Sequence, residues 1–295
     1  MHTVSMAFLF RLLSWFPLWL LHGLGAVLGW LGWLVAASYR RRVRENAALA
    51  GLTLADVRPS IAHNGRMLSE LPRLWLGRPV HCEWRGLEHV EQAYAAGKGV
   101  VFLTPHMGCF EITAQAMAER FHRQYGDLTV LYRPASQPWL AEMMETVRER
   151  PGLRSVPTNL SGIRQMIKAL RHNEAVGLLP DHVPPPGQGV WVPFFGKEAY
   201  TMTLAARLML QTQAAVIIIW GERLSWGRGY RLHCSPPSAP LPDELEAAVA
   251  QINREMERVI LRCPGQYMWG YARYRAPYGW GDYVARQAAQ EEQQP

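Results

Sequence analysis

The stretch "GVVFLTPHMGCFEI", residues 99–112, decides how the rest of the chain is interpreted. Its first part, Gly99 to Thr104, is uncharged and mostly apolar, which is the pattern of a fully buried strand. A proline and His106 follow at once, and a helical pattern begins at Cys109. The stretch therefore predicts a strand, a short polar loop and a helix, with His106 at the carboxyl end of the strand, where α/β sheets bind their ligands.

The same alternation of strand and helix patterns extends along most of the chain. It predicts an α/β fold with a mainly parallel or mixed central sheet and helices on both faces. Because no Pro/Ser-rich linker divides the chain, residues 45–295 are expected to form a single domain. The other predicted strands are Val80–Trp84, Leu128–Tyr132, Ala175–Leu179, Ala215–Trp220 and Tyr230–Cys234. The predicted helices are Leu87–Ala96, Cys109–Phe121, Pro138–Arg150, Leu160–His172, Met202–Gln211 and Asp243–Leu261.

The amino-terminal segment has the composition of a membrane anchor. From Leu12 to Tyr39 it runs for 28 residues without Asp, Glu, Lys or Arg, whereas a spanning helix needs about 20. Pro17 predicts a kink or an early break, and Gly25 and Gly29 form a weak helix-pairing pattern. We expect residues 1–44 to be an anchor with a basic flank. Whether it spans the bilayer or lies in one leaflet stays open, and a signal peptide or a buried helical hairpin are alternatives.

The charges around this segment indicate its orientation. Four arginines follow it, whereas only Arg11 precedes it, so the positive-inside tendency places the bulk of the chain in the cytoplasm. The four are Arg40, Arg41, Arg42 and Arg44.

The composition describes a folded protein with an acidic partner. Of 295 residues, 49% are hydrophobic and 19% are charged, which excludes a disordered chain. The formal net charge of +7 suits nucleic acid, anionic lipid or an acidic carrier protein. The four cysteines have no C-x-x-C spacing, so we expect reduced thiols in a cytosolic domain.

His106 and Glu111 form a candidate catalytic pair. On one ideal helix their side chains would point about 140° apart, so they can meet only if His106 lies in the loop and Glu111 in the first helical turn. A carboxylate on one ring nitrogen would leave the other nitrogen as a general base. The alternatives are an ordinary helix start and a Cys109 nucleophile with His106 as its base. A zinc site is disfavoured because H-E-x-x-H is absent and no third ligand is evident.

Two further polar residues end predicted strands. Arg133 follows Leu128–Tyr132, and Asp181 follows Ala175–Leu179 just before an aromatic, Gly/Pro-rich stretch. Because neighbouring parallel strands end at the same edge of a sheet, we expect His106, Arg133 and Asp181 to converge. Each also has a plain structural interpretation, as a surface ion-pair arginine or a turn aspartate.

With these segments in view, the chain resembles the late acyltransferases of lipid A biosynthesis, within the lysophospholipid and glycerolipid acyltransferase group. The His-x-x-x-x-Asp/Glu motif of the group matches His106 and Glu111. Further matches are "YRP" (132–134), "LPD" (179–181), "FFG" (194–196) and "YMWGYARYRAP" (267–277). The chain departs from many members at Cys109-Phe110, where they have Asn-Trp, and at His182, where they have Gln.

The resemblance implies a glycerolipid-acyltransferase-like fold and transfer of a fatty acyl group from acyl carrier protein to a hydroxyl of a lipid A precursor at the inner membrane. His106 would be the base, Glu111 its orienting carboxylate, and Arg133, Asp181 and Arg273 would bind substrate. Neither a metal nor another cofactor is expected, and nucleic acid is not the expected partner. Other membrane lipids (a mannoside, an ornithine lipid or a lysophospholipid) remain alternative acceptors, and a non-catalytic membrane-surface protein is the remaining class. Acyl-chain length, acylated position and oligomeric state do not follow from the sequence.

Overall fold

The computed structural model describes residues 2–132 and 151–291, with side chains for residues 8–131 and 151–285. Arg133 and the predicted helix Pro138–Arg150 lie outside the described residues. The strands are β1 (Cys82–Arg85), β2 (Val100–Leu103), β3 (Leu128–Tyr132), β4 (Leu153–Pro157), β5 (Ala175–Leu178), β6 (Gly189–Phe194), β7 (Lys197–Met202), β8 (Ala215–Arg223) and β9 (Tyr230–Ser235).

The helices surround these strands and also form an amino-terminal group. They are α1 (His2–Leu13), α2 (Leu18–Val35), α3 (Ala37–Leu49), α4 (Leu54–Val57), α5 (Pro59–Ser69), α6 (Leu71–Leu76), α7 (Leu87–Ala95), α8 (Phe110–Tyr125), α9 (Leu160–Arg171), α10 (Leu204–Thr212), α11 (Leu245–Arg262) and α12 (Trp280–Glu291). Helix α3 runs through residue 44, the expected end of the anchor, and that division stays a prediction.

Within the described residues, seven strands form one sheet in the order β1-β9-β8-β2-β5-β3-β4. All neighbouring pairs are parallel except β8 and β9, which pair antiparallel from Ile218 with Ser235 to Arg223 with Tyr230. Buried apolar clusters lie on both sides of the sheet, under α10 and α11 on one face and under α7 and α8 on the other. The expected α/β fold with a mainly parallel sheet is therefore confirmed.

Strand β2 lies at the centre of this sheet and carries the candidate site at its end. It pairs with β8 on one side and with β5 on the other, and each of its four residues is buried. This double pairing explains the uninterrupted apolar run from Val100 to Leu103, since neither face of the strand meets water.

Three strands were not predicted. Strand β4 and the hairpin β6–β7 lie in stretches where the sequence pattern gave no strand. The hairpin forms a separate two-stranded sheet and contacts α11, the longest helix of the carboxyl-terminal half among the described residues.

The amino-terminal helices pack on the domain. Helix α2 begins directly after Pro17, where the break was expected, and its neighbour is α5. By length and composition α2 could cross a membrane, and it is the one such helix among the described residues. Gly25 and Gly29 are indeed the positions of closest approach, with backbone atoms of Arg66 and Ile61 occupying the space of a side chain.

A buried polar centre ties this helical group to the sheet. Glu70 accepts two hydrogen bonds from Arg223 on β8, at 2.8 and 2.6 Å, and one from the Tyr230 hydroxyl at 2.9 Å. The ring Nε2 of His22 on α2 lies 3.0 Å from the same carboxylate. We call these four residues the Glu70 centre. Burial opposes the charge of Glu70, but Arg223 and His22 outweigh burial and lower its pKa to about 2.

Candidate active site

The loop from Thr104 to Cys109 is held by backbone contacts. The N–H of Gly108 donates to the Gln266 carbonyl at 2.9 Å, and the N–H of Cys109 donates to the Gly221 carbonyl at 2.8 Å. Gly108 has φ of +55°, and a Cβ there would lie 1.9 Å from the Gly221 oxygen. Only glycine fits this left-handed position, so the small residue before Cys109 fixes the path that presents His106.

His106 is held by one carboxylate at two points. Its Nδ1 lies 2.7 Å from Oδ1 of Asp181, and its backbone N–H donates to Oδ2 at 2.9 Å. Asp181 is fully buried, whereas the His106 side chain is 15% exposed. Since Asp181 is hydrogen-bonded to Nδ1, Nε2 is the ring nitrogen that remains to exchange a proton with a substrate.

The electrostatics of this pair favour a charged carboxylate. Burial alone would raise the pKa of Asp181, but the adjacent His106 ring and its two hydrogen bonds outweigh burial and hold that pKa well below its usual range. An ionised Asp181 fixes the tautomer of the neutral imidazole and stabilises the imidazolium that forms when Nε2 takes up a proton.

Two stacked rings pack against one face of the His106 imidazole. The ring of His182 lies parallel to that of His106 with centroids 3.4 Å apart, and Tyr271 stacks on His182 at 3.8 Å. Burial, aided by the nearby His106, lowers the pKa of His182 to about 3, so this ring is neutral at neutral pH. A neutral ring can lie flat against His106 without repelling the positive charge that the base acquires.

The segment after α11 completes the support. The N–H of Met268 donates to the His106 carbonyl at 3.2 Å, and the Tyr271 hydroxyl accepts the N–H of Val183 at 3.0 Å. Tyr267 is buried, and burial together with the negative charge of Asp181 raises the pKa of Tyr267 far above its ordinary value. Tyr267 and Tyr271 are therefore site residues that the sequence analysis missed.

The histidine opens onto a large cavity of about 1080 Å³. Its walls are mostly apolar and include residues of β2, β3, β5 and α8, of the loop before β6 and of the start of α10. The polar side chains that line it include His106, Glu111, Thr104, Asn159 and Arg207. An apolar cavity with a few convergent polar groups is the usual form of a small-molecule site.

Glu111 lies in the first turn of α8 and lines the same cavity. Its Oε2 accepts a hydrogen bond from Nε1 of Trp75 at 3.3 Å. The placement of His106 in the loop and Glu111 in the first turn is thus as expected. The carboxylate on Nδ1, however, is Asp181. Asp181, which was expected to bind substrate, accepts hydrogen bonds from His106 on both of its oxygens, and a substrate contact stays a prediction.

Arg273 does not reach the cavity. It is 2% exposed, and its guanidinium donates to the Tyr200 carbonyl at 2.7 Å and to the Thr201 hydroxyl. Its ring neighbour is Phe194, with the guanidinium carbon 5.0 Å from the ring centroid. The expected substrate contact is therefore replaced by a structural one, in which Arg273 fastens the carboxyl-terminal segment to the β6–β7 hairpin.

Arg207 is a second residue that the sequence analysis missed. It lies in the first turn of α10, and it is the one Lys or Arg among the described residues that line the cavity. Its Nε donates to the Thr203 hydroxyl at 3.1 Å, which fixes the direction of the side chain. The available signal was a single arginine inside the otherwise apolar run "LAARLML".

Three of the site residues also have the composition of a metal site. Ligand atoms of His106, Asp181 and His182 all lie within 4.8 Å of one another. The two histidine rings are 2° from parallel, however, so their nitrogen lone pairs lie in separate planes and do not meet at one point. Both Asp181 oxygens already accept hydrogen bonds from His106. This geometry fits a hydrogen-bonded cluster and does not fit a first coordination sphere.

Burial also decides what Cys109 can do. Its side chain is buried, and burial together with Glu70 raises the pKa of the thiol far above its ordinary value. A thiol held in its protonated form is a poor nucleophile, so the alternative of a Cys109 nucleophile loses its chemical basis.

Comparison with known proteins places the whole described site within one family. The model of the bacterial lipid A biosynthesis acyltransferases matches residues 3–276. The chain is 29% identical to a lipid A biosynthesis lauroyltransferase of Escherichia coli K12 over 192 residues, 64% of this chain and 60% of that protein. It is 30% identical over 183 residues to a lipid A biosynthesis acyltransferase of Haemophilus influenzae, 60% of this chain and 56% of that protein. The aligned segments thus span less than two thirds of the length of these relatives.

Proposed function

Because the chain belongs to the bacterial lipid A biosynthesis acyltransferase family, we propose that it transfers a fatty acyl group from acyl carrier protein to a hydroxyl of a lipid A precursor at the cytoplasmic face of the inner membrane. The observation that carries this proposal is the buried Asp181–His106 pair at the edge of a cavity of about 1080 Å³. The pair supplies a base, and the cavity supplies apolar walls for an acyl chain.

In the proposed reaction, His106 acts as general base. Its Nε2 takes the proton of the acceptor hydroxyl while the hydroxyl oxygen attacks the thioester carbonyl carbon. The C–S bond of the tetrahedral intermediate then breaks, and the imidazolium returns the proton to the departing thiolate. The products are the new ester and the free thiol of the carrier, so no covalent enzyme intermediate forms.

The neighbouring groups favour the charges that develop in this step. Asp181 stabilises the imidazolium through Nδ1, and Glu111 adds a second carboxylate on the cavity side. Helix α8 begins at Phe110, so the N–H groups of its first turn are suited to the oxyanion of the tetrahedral intermediate. The reaction therefore needs no metal.

Two arginines are proposed to place anionic groups of the substrates. Arg207 lines the cavity and is exposed, and Arg133 directly follows the end of β3 in sequence. A phosphate of the acceptor or of the carrier's prosthetic group is a suitable ligand for either guanidinium. The net charge of +7 favours an acidic carrier protein and an anionic lipid in the same way.

The function is tested by direct product analysis. Purified full-length protein is incubated with acyl carrier protein thioesters of several chain lengths and with a lipid A precursor, a mannoside, an ornithine lipid or a lysophospholipid. The proposal predicts that the precursor gains the mass of one acyl group. Turnover on another lipid alone would identify that lipid as the acceptor in place of the lipid A precursor. No turnover with any combination of thioester and lipid would favour a binding protein without activity.

A further inference from the structure

Helix α2 is docked on the domain along its whole length. Its buried residues are Leu18, Leu21, His22, Gly25 and Trp33. The half-buried Gly29 lies between the last two, so the docked positions follow one another at helical spacing. A stripe with this spacing is one face of a helix. An anchor that leaves the domain to cross a bilayer would be buried only near its point of exit.

The contact with α5 is a close backbone crossing. A Cβ on Gly25 would lie 2.6 Å from Cα of Arg66, and one on Gly29 would lie 2.1 Å from the Ile61 oxygen. From the other side, a Cβ on Gly65 would lie 1.9 Å from the Gly25 oxygen. The three glycines let the two helices approach to a distance that no larger residue allows.

Polar contacts lock the same face. His22 contributes its ring to the Glu70 centre, the Ser69 hydroxyl donates to the Leu21 carbonyl at 2.7 Å, and Nη1 of Arg40 donates to the Trp33 carbonyl at 2.7 Å. Both the first turns and the carboxyl end of α2 are thus tied to the rest of the chain. At its amino end, Gly227 lies against the backbone of Trp19.

The opposite face of α2 is entirely apolar and exposed. It continues onto the preceding turn and onto α1, and it carries no charged side chain from Leu12 to Val35. Its exposed large residues are Phe8, Leu9, Leu12, Trp15, Phe16, Trp19, Leu20, Leu24, Val27, Leu28, Leu31, Leu34 and Val35. We call this surface the apolar strip.

We propose that α2 lies in the plane of the membrane, with the apolar strip inserted into one leaflet and the docked face turned to the domain. This inference rests on the membrane association proposed above. Its 18 residues measure about 27 Å, shorter than the hydrocarbon core of about 30 Å. To cross the bilayer, α2 would also have to draw α5 into the hydrocarbon, with Asn64 and Arg66 on it, at a high cost in free energy.

The exposed Trp226 lies in a turn next to the amino end of α2 and adds to the apolar strip. Trp226 is 88% exposed, and its φ of +61° is uncommon for a bulky residue. It directly precedes Gly227, which contacts the amino end of α2. Together with Trp15 and Trp19 it gives three exposed tryptophans near one end of the strip, the residue type that settles at the lipid interface. Arg11 and Arg41 are exposed nearby in the chain and suit anionic head groups.

The strip also leads to the active-site cavity. Phe10 on α1 packs on Trp75 of α6, with ring centroids 6.1 Å apart. Trp75 lines the cavity and donates to Glu111. Phe10 and Trp75 thus connect α1, which carries part of the strip, to the wall of the cavity, the side from which a lipid acceptor in the leaflet would enter.

Depth measurements separate an in-plane helix from a spanning one. A bimane label is placed on single cysteines introduced at Leu20, Val27 or Leu34 in the full chain, which is bound to vesicles containing anionic lipid. Nitroxide lipids then report the depth of each label, and the unsubstituted chain gives the background, since its own cysteines are buried or half-buried. We expect one shallow depth for all three labels. A Val27 label near the bilayer centre with shallower Leu20 and Leu34 labels would overturn the proposal, as would no quenching at any site.

Two glycines of α2 provide a matched test of docking. A Cβ on Gly25 meets the α5 backbone, whereas a Cβ on Gly23 meets nothing within 4 Å. We expect Gly25→Ala to lower the Tm of the full chain by several degrees and Gly23→Ala to leave it unchanged or slightly higher. Equal Tm values for the two variants would overturn the docked arrangement. Neither experiment needs turnover, so a failure of the acyl-transfer proposal would show only in the product assay.

Discussion

Two buried carboxylates in this protein each hold a histidine, yet their surroundings differ. Asp181 bonds His106 at 2.7 Å at the edge of a large cavity, whereas Glu70 lies 3.0 Å from His22 inside the helical group. Glu70 also accepts two hydrogen bonds from Arg223, so its charge is already neutralised by a guanidinium. Asp181 gives both of its oxygens to His106.

The difference shows what makes such a pair reactive. In the Glu70 centre a permanent cation balances the carboxylate, and His22 is not among the described residues that line the large cavity. In the Asp181 pair the carboxylate stabilises the positive charge that His106 acquires when it takes a proton. The His106 ring also lines a cavity. The same two residue types therefore stabilise the fold in one place and are proposed to drive chemistry in the other.

Replacement of the two histidines should separate activity from stability. His106→Ala should lower kcat/KM by roughly 10²–10⁴-fold, the usual contribution of a positioned general base, in the protein that stays folded. His22→Ala should lower Tm and leave the kcat/KM of the folded fraction near that of wild type. A His106→Ala protein that turns over normally would return His106 to the role of an ordinary loop residue.

Replacement of the two carboxylates by their amides gives the next largest contrast. Asp181→Asn keeps the shape but removes the charge that favours the imidazolium, so kcat/KM should fall about 10²-fold. Glu70→Gln leaves Arg223 buried without a counter-charge and should cost roughly 3–5 kcal/mol of unfolding free energy. Denaturant titrations and initial rates on both variants check this, and similar profiles for the two would contradict the distinction.

Arg207 should affect substrate binding more than the chemical step. Arg207→Gln should raise KM by about tenfold, or about 1.4 kcal/mol, with a small change in kcat, because it removes one contact to an anionic group. Arg171→Gln is the matched control, since Arg171 is exposed on α9 outside the cavity lining. Equal KM values for the two variants would remove Arg207 from the site.

His182 should have the smallest effect on rate and a visible effect on acid stability. The unfolded chain protonates this ring near its ordinary pKa of 6.5, whereas the folded chain does so only near 3. The unfolded state therefore binds more protons between these values, and stability is lost as the pH falls from 6.5 toward 3.

His182→Gln should remove the loss of stability that protonation of this ring causes at acid pH. The Tm of the variant should fall less steeply than that of wild type between pH 6.5 and pH 4, and its kcat/KM should stay within about tenfold of wild type. His172→Gln, at an exposed histidine, is the control and should follow wild type. A variant curve parallel to that of wild type would show that the buried ring already carries its proton.

Most of the sheet could be predicted because its strands are buried on both faces. β2, β5 and β8 are apolar runs that periodicity detects, and their observed ends lie close to the predicted ones. Strand β4 was not predicted because "LRSVP" carries an arginine and a proline and buries only Val156 fully. The β6–β7 hairpin escaped because its turn is Phe195-Gly196, both at positive φ, without the Asn-Gly or Asp-Gly pair that marks such turns.

The sequence predicted those site residues that directly follow a strand or lie close together in the chain. His106 and Asp181 were expected at one edge of the sheet, and the structure brings them into contact. The choice of carboxylate was beyond the sequence, because Glu111 is five residues away and Asp181 is 75. Tyr267 and Tyr271 come from an aperiodic segment after α11, so only the fold shows that they support His106.

Chemical rescue of the base tests the role of His106 in acyl transfer. Acyl transfer by full-length His106→Ala is measured by product mass with and without added imidazole, beside wild type and His22→Ala. We expect a low rate that rises in a saturable way with imidazole in His106→Ala alone, because the small base can enter the cavity beside Asp181. An undiminished rate without imidazole, or an acyl group captured covalently on the protein and then passed to the acceptor, would contradict it.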